Sequence, residues 1–192
     1  MQKQALKQTE MQIFRLKVEP SGYKDVYRII DLKGNQALEQ LHRFILKSFK
    51  FKEGEMASFY LNYDDQENRM EICLSEMQQD ETCQMMDSVR VRDVFGDKGQ
   101  KLTYVYDFLN MWRFDISFIK KTDPIEGVTY PYLYRTVGKA PDQQSKQMGG
   151  ELNEDDVKLI GELLNKNKDM FDDDLDKDGD DFDDGDGDSP LY

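Results

Sequence analysis

The fold is decided by Leu102-Thr103-Tyr104-Val105-Tyr106-Asp107-Phe108-Leu109-Asn110-Met111-Trp112-Arg113-Phe114-Asp115-Ile116-Ser117-Phe118-Ile119. Leu102, Tyr104, Tyr106 and Phe108 alternate with Thr103, Val105 and Asp107. Trp112, Phe114, Ile116 and Phe118 then alternate with Arg113, Asp115 and Ser117. Side chains of an extended strand point to opposite faces in turn, so a period of two describes two half-buried strands. Phe108 to Met111 carries the connection, without the Asn-Gly or Gly-X pair of a tight primed turn, which predicts a longer or bulged hairpin. Tyr104, Tyr106, Phe108, Trp112 and Phe114 could stack nucleic-acid bases. Their shared face makes a packed core the better reading.

Upstream, Gln12 to Val18 begins a strand in which Leu16 and Val18 alternate with Arg15 and Lys17. Glu19-Pro20-Ser21-Gly22 has turn composition, and Val26 to Leu32 completes a first hairpin. Leu38, Leu41, Ile45 and Phe49 recur at spacings of three and four, which predicts a helix over 36–50 with Asn35 as its N-cap. Ala57 to Asn62 and Met70 to Leu74 read as strands flanking a charged loop, Tyr63 to Arg69. Ser75 to Asp87 is polar and Met-rich and reads as an irregular loop, and Ser88 to Phe95 as a short helix or turn.

Downstream, Tyr130 to Val137 reads as one more short strand, and Val137 to Asp142 closes the body. Residues 143–150 form a polar linker. Asn153 to Leu164 has a capping residue, acids in its first turn and a stripe of Val157, Ile160, Leu163 and Leu164, the pattern of a short amphipathic helix. Beyond it, residues 169–192 are dominated by Asp, too poor in apolar groups to offset the entropy of ordering, and are expected to be disordered.

The net charge of −13 is uneven. Residues 151–192 hold 17 acids and 4 bases, whereas residues 1–150 hold 22 of each. A neutral body lacks the basic excess usual in a nucleic-acid binder, so such a partner is not favoured. No apolar run approaches the roughly 20 residues that span a bilayer, and residues 1–10 have no apolar core of a signal peptide. The expectation is a cytoplasmic protein without membrane association. Cys73 and Cys83 fit neither a CxxC nor a zinc-finger spacing and are expected to be reduced thiols.

Candidate chemistry is sparse. His42, the one histidine, falls on or beside the apolar helix face, and a packed side chain outweighs a catalytic or metal role because no second His exists. Asp107 and Asp115 could pair as carboxylates, but a turn that Asp107 caps is the better reading. Asp64, Asp65 and Glu67 read as a solvated loop. Asp174 to Asp180 matches the first seven positions of a calcium loop, but Asp181 and Gly185 stand where an apolar residue and a bidentate Glu are needed. No cofactor or metal is called for, and neither a nucleophile elbow nor a phosphate-cradling glycine loop occurs.

Tyr106-Asp107-Phe108-Leu109-Asn110-Met111-Trp112 resembles the Y-D-F-G-D-x-W motif of the plasmid pRiA open-reading-frame-three-like family, whose members are also labelled insertion-element passenger TnpR-like proteins. Leu38 to Ile45, with its Leu41-His42 step, resembles that family's helix. Val137-Gly138-Lys139-Ala140-Pro141-Asp142 resembles its G-x-A-P-P-E-D segment, and Gly149-Gly150 the glycines that follow. The likeness covers about residues 10–150. It departs where Leu109-Asn110 replaces Gly-Asp and where the second proline is missing. It implies an α+β fold similar to a ubiquitin-like roll with additions, and attaches no firm biochemical activity. The positions it singles out are His42, Tyr106, Asp107, Phe108, Asn110, Trp112, Pro141 and Asp142.

Together these observations predict an α+β domain over 10–145, with a mostly antiparallel sheet packed on one main helix. A linker and short helix over 146–168 and an acidic tail over 169–192 follow. The leading functional expectation is a non-enzymatic binding or adaptor protein with a protein partner. A nucleic-acid- or transposon-associated role comes second, and an unrecognised enzyme centred on His42 and Asp107 third.

Overall fold

The computed structural model describes residues 12–74, 83–96, 100–146, 154 and 157–161. The chain divides into two compact units, Met1–Leu152 and Asn153–Tyr192. In the second, residues 154 and 157–161 are helical, inside the stretch whose periodicity predicts a helix. Of the polar linker expected over 143–150, Gln143–Ser145 is instead a 3-10 turn, because Asp142 caps it, and residues 147–150 lie outside the described residues, as do the acidic tract and its calcium-loop-like segment. Among the described residues no helix is long and apolar enough to cross a membrane.

The first unit is built on one eight-stranded sheet in the order β5-β4-β3-β6-β7-β1-β2-β8. The strands are β1 (Ile13–Pro20), β2 (Tyr27–Lys33), β3 (Ala57–Leu61), β4 (Met70–Cys73), β5 (Gln84–Met85), β6 (Lys101–Tyr106), β7 (Trp112–Thr122) and β8 (Tyr132–Val137). All neighbours are antiparallel except β4 and β5. Hairpins β1–β2, β3–β4 and β6–β7 supply six of the strands, because each pairs a strand with the next one along the chain. The mixed α+β class read from the sequence is the class observed.

The opening stretch is the β6–β7 hairpin, with Tyr106 opposite Trp112 and Leu102 opposite Ile116. Its inner-phase residues Leu102, Tyr104, Tyr106, Trp112, Phe114, Ile116 and Phe118 are all buried. Helix α1 (Leu38–Phe49) lies against this face with Leu38, Leu41, His42, Ile45, Leu46 and Phe49 inward. Each fully buried aliphatic or aromatic side chain contributes about 1.5–3 kcal/mol relative to an exposed one, so helix and hairpin stabilise each other. The register of β1 with β7 is irregular: Arg15 faces Lys120, Leu16 faces Phe118, and Ile119 is left over as a bulge in β7.

Two expectations fail at the helix start and in the Met-rich stretch. Ala37, not Asn35, is the N-cap residue, and it makes no side-chain capping bond. The amides of Leu38 and Glu39 bond instead to the carbonyls of Val89 and Met86, at 2.9 and 3.1 Å. A neighbouring segment thus satisfies the orphan donors that a side chain usually takes. Gln36 holds the approach by accepting from the Lys33 amide and donating to the Tyr130 carbonyl. Within the stretch read as irregular, Gln84–Met85 forms β5 and pairs in parallel with β4.

That pairing also overturns the expectation of two reduced thiols. Cys73 ends β4 and Cys83 precedes β5, so the parallel register brings them together, and the structure joins them as a disulfide with Cα atoms 6.2 Å apart. The short helix read over 88–95 is α2 (Val91–Val94), started by the Arg90 amide bonding to the Asp93 carboxylate at 3.0 Å.

Candidate functional site

The chain between β6 and β7 makes a five-residue bend. Asp107 and Met111 both take left-handed backbone conformations, with φ of 56° and 49°. An aspartate tolerates that region better than most residues because its short side chain can bond locally. Here Asp107 Oδ1 accepts from the Asn110 amide at 3.1 Å and Oδ2 from the Asn110 side chain at 2.7 Å. The Asp107 carbonyl also accepts from the Met111 amide at 2.7 Å. The carboxylate is buried and spent on its own turn, the capping role expected of it. Asp115 lies opposite Thr103, three ladder pairs away from the turn, and accepts from Ser21 Oγ.

The segment after β8 is fastened to this bend. Asp142 caps a single 3-10 turn, Gln143–Ser145, by accepting from the Gln144 amide at 3.0 Å. Trp112 Nε1 donates to the Gln143 carbonyl at 3.0 Å. Lys146 donates to the Met111 carbonyl at 2.7 Å and lies over the Trp112 ring. The loop leaving α1 joins in: the Lys52 amide donates to Gln143 Oε1 at 2.8 Å, and the Tyr106 hydroxyl donates to the Lys52 carbonyl while accepting from the Glu55 amide.

These three segments enclose a surface cleft of about 580 Å³. Tyr106, Asp107 and Asn110 line it from the hairpin, and Pro141 and Asp142 from the segment after β8. The structure therefore gathers five of the eight sequence-nominated positions around one concavity. Trp112 and Phe108 are buried and do not line it. Sequence reasoning missed the third wall, Lys52, Glu53 and Glu55, as well as Gln143 and Gln144. The only local signal was a charged run around Gly54, whose φ is 128°; nothing local marks the pairing of residue 52 with residue 143.

His42 lies elsewhere. It faces into the core from α1, where Nδ1 and the Tyr104 hydroxyl share a 2.7 Å hydrogen bond. Burial, with a smaller contribution from Arg43, lowers its pKa to about 4, so the ring is neutral near pH 7. Burial likewise raises the Tyr104 pKa well above the ordinary phenol value. The hydrogen bonds described for His42 and Asp107 go to different partners and do not join the two. In the loop after β3, Asp65 Oδ2 accepts from the Asn68 side chain at 2.9 Å, which lowers its pKa.

A second cavity of about 550 Å³ lies between α1 and β8, with Lys50 and Ala140 lining both cavities. Arg28 forms part of its wall and is buried. Its guanidinium donates to the carbonyls of Tyr27, Ser48, Val137 and Gly138, and loss of hydration lowers its pKa. That places positive charge at the negative end of the helix dipole.

An eight-stranded, mostly antiparallel sheet with one main helix, in which the Tyr106–Trp112 bend and the segment after β8 meet around a cleft, defines an α+β domain with a composite surface site. The chain belongs to the plasmid pRiA4b ORF-3-like protein family, whose model matches residues 12–183. A crystal structure of the protein of unknown function MM3350 from Methanosarcina mazei Go1 has the same fold, with a TM-score of 0.61 at 18% identity, covering 80% of this chain and 82% of that one. No curated protein matches the chain.

Proposed function

We propose that this protein is a non-enzymatic cytoplasmic binding or adaptor module, and that the cleft between the Tyr106–Trp112 bend and the Pro141–Gln144 segment receives a segment of a protein partner. The observation that carries the reading is how the conspicuous side chains are used. The Asp107 carboxylate is committed to Asn110, the Tyr106 hydroxyl bridges Lys52 and Glu55, and His42 is buried and neutral away from the cleft. What is left to meet a ligand is a concavity edged by the exposed residues Lys52, Glu53, Glu55 and Gln144. Such an edge suits recognition of a polar peptide segment, where a few placed charges set specificity.

The test is co-purification from cells expressing the tagged protein at native level, with the Glu53→Lys/Glu55→Lys double variant beside it. Exposed substitutions of this kind usually change stability by no more than about 0.5 kcal/mol each, and circular dichroism checks that the fold is kept. The proposal expects a partner recovered with the unaltered chain and lost with the variant. Recovery of no specific partner, or of the same partner with both, counts against it.

A further inference from the structure

The sheet carries a second chemical cluster, on β3, β4 and the approach to β5. Phe59 and Ile72 point into the core shared with α1. By the pleat, Ser58, Tyr60, Glu71 and Cys73 occupy the opposite face, with Ser58 paired to Cys73 and Tyr60 to Glu71 in the register. Cys83 joins them across the β4–β5 pairing, and Glu71, Cys73 and Cys83 offer ligand atoms all within 4.8 Å of one another. Glu71 is held by two neighbours: its Oε1 accepts from Ser58 Oγ at 2.7 Å and from the Tyr60 hydroxyl at 2.9 Å. Burial, and then the Glu71 charge, push the Tyr60 pKa well up, so its hydroxyl keeps the proton it donates.

We propose that Glu71, Cys73 and Cys83 form a zinc site when the disulfide is reduced, binding Zn²⁺ through two thiolates and one carboxylate and clipping β5 to β4. Two Zn–S bonds of about 2.3 Å at a tetrahedral angle place their sulfurs about 3.8 Å apart. The Cα separation of 6.2 Å accommodates that spacing through side-chain rotation. Thiolate ligands select zinc over magnesium and calcium. Ligation through Glu71 Oε2 would keep both hydrogen bonds to Oε1, and these give the carboxylate the kind of support that orients metal ligands. A solvent molecule completes the four positions. The bonded and zinc-bound forms are two states of one pair. A peroxide oxidant takes two electrons from the thiolates, the sulfurs join, Zn²⁺ leaves, and hydrogen peroxide with two protons becomes two waters. A dithiol reductant reverses the sulfur chemistry, becoming a disulfide itself.

The experiment uses the full chain, reduced anaerobically and freed of reductant, with Co²⁺ as the spectroscopic probe. The expected result is a near-ultraviolet thiolate-to-cobalt charge-transfer band, with the intense visible bands of tetrahedral cobalt, displaced by one equivalent of Zn²⁺. Carboxylates of the acidic stretch would bind cobalt through oxygen alone and give no such band. Glu71→Gln should keep the band and weaken zinc binding at least about tenfold, and Cys83→Ser, which leaves one thiolate, should cut the band to half or less. Peroxide should erase the band, release the zinc and remove two titratable thiols. If Cys83→Ser fails to fold, the unaltered protein before and after peroxide makes the same comparison. Two titratable thiols without a charge-transfer band, a disulfide that resists reduction, a band unchanged in folded Cys83→Ser, or unaltered zinc affinity in Glu71→Gln overturns the assignment.

Discussion

Trp112 Nε1 donates to the backbone carbonyl of Gln143 at 3.0 Å, joining the first residue of β7 to the 3-10 turn that follows β8. Two of the three segments that carry the family likeness, the Tyr106–Trp112 bend and the Val137–Asp142 run that leads into this turn, are thus tied together. Trp112→Phe removes the donor and keeps most of the ring, and Tyr106→Phe removes the bridge to Lys52 and Glu55. Each is expected to lower unfolding free energy by about 0.5–1.5 kcal/mol in urea titrations, with faster amide exchange confined to residues 52–55 and 143–146. Exchange unchanged in those segments would mean that these bonds do not hold the cleft.

At the bend, Asp107 combines a left-handed φ of 56° with a side chain that caps Asn110. Asp107→Ala loses the cap at a backbone angle that alanine disfavours, and is expected to destabilise by about 1–2 kcal/mol. Asp107→Asn keeps an acceptor and tolerates the angle, and should be affected by less than half as much. Equal losses in the two variants would contradict the capping role.

His42 makes a specific contribution to pH dependence. In the unfolded chain it takes a proton near 6.5, and in the fold burial lowers that to about 4. Between those values the unfolded state binds more protons, so acidification favours unfolding. The stability that neutral His42 contributes is complete above about pH 6.5 and is lost as pH falls to about 4, on the order of 3 kcal/mol over the interval. Chemical denaturation of the unaltered chain and of His42→Gln at a series of pH values isolates this share from that of the carboxylates. The stability difference between the two should move toward the variant's favour as pH drops, and a difference independent of pH would show that His42 is not the group responsible.

Two glycines allow a paired comparison. Gly138 and Gly22 both have positive φ, 70° and 84°. A Cβ at Gly138 would lie 2.5 Å from the Asp25 carbonyl oxygen, whereas one at Gly22 meets open space. Gly138→Ala should therefore be the more destabilising, by more than about 1 kcal/mol, as judged by thermal melts of both variants. A reversed order would mean that the chain around residue 25 yields more readily than its packing implies.

Much of this architecture was legible because local pattern and tertiary role agree. The alternation in 102–118 placed its aromatics on one face, and the spacing of Leu38, Leu41, Ile45 and Phe49 marked the face that α1 buries. The rest depends on distant partners. The start of α1 is satisfied by the carbonyls of Met86 and Val89, so Asn35 was a plausible but wrong cap. Strand β5 is two residues long and exists through its pairing with β4, and the disulfide follows from that pairing rather than from cysteine spacing. At the cleft, Tyr106, Asp107, Asn110, Pro141 and Asp142 came from the family likeness. The wall at 52–55 and its bond to Gln143 span 91 residues and leave no local trace.

The reading of the cleft as a partner-binding surface is tested most directly by chemical cross-linking in cells at native expression, followed by mass spectrometry. Lys50 and Lys52 line the cleft and are exposed to an amine-reactive linker, while Lys33, Lys101 and Lys120 lie on the sheet as internal controls. The account predicts one recurring partner peptide joined through Lys52, which lines this cleft and not the second cavity, with or without Lys50, and lost in the Glu53→Lys/Glu55→Lys variant. Cross-links to partners through the control lysines alone, or in equal measure at all five positions and unchanged by the variant, would contradict it.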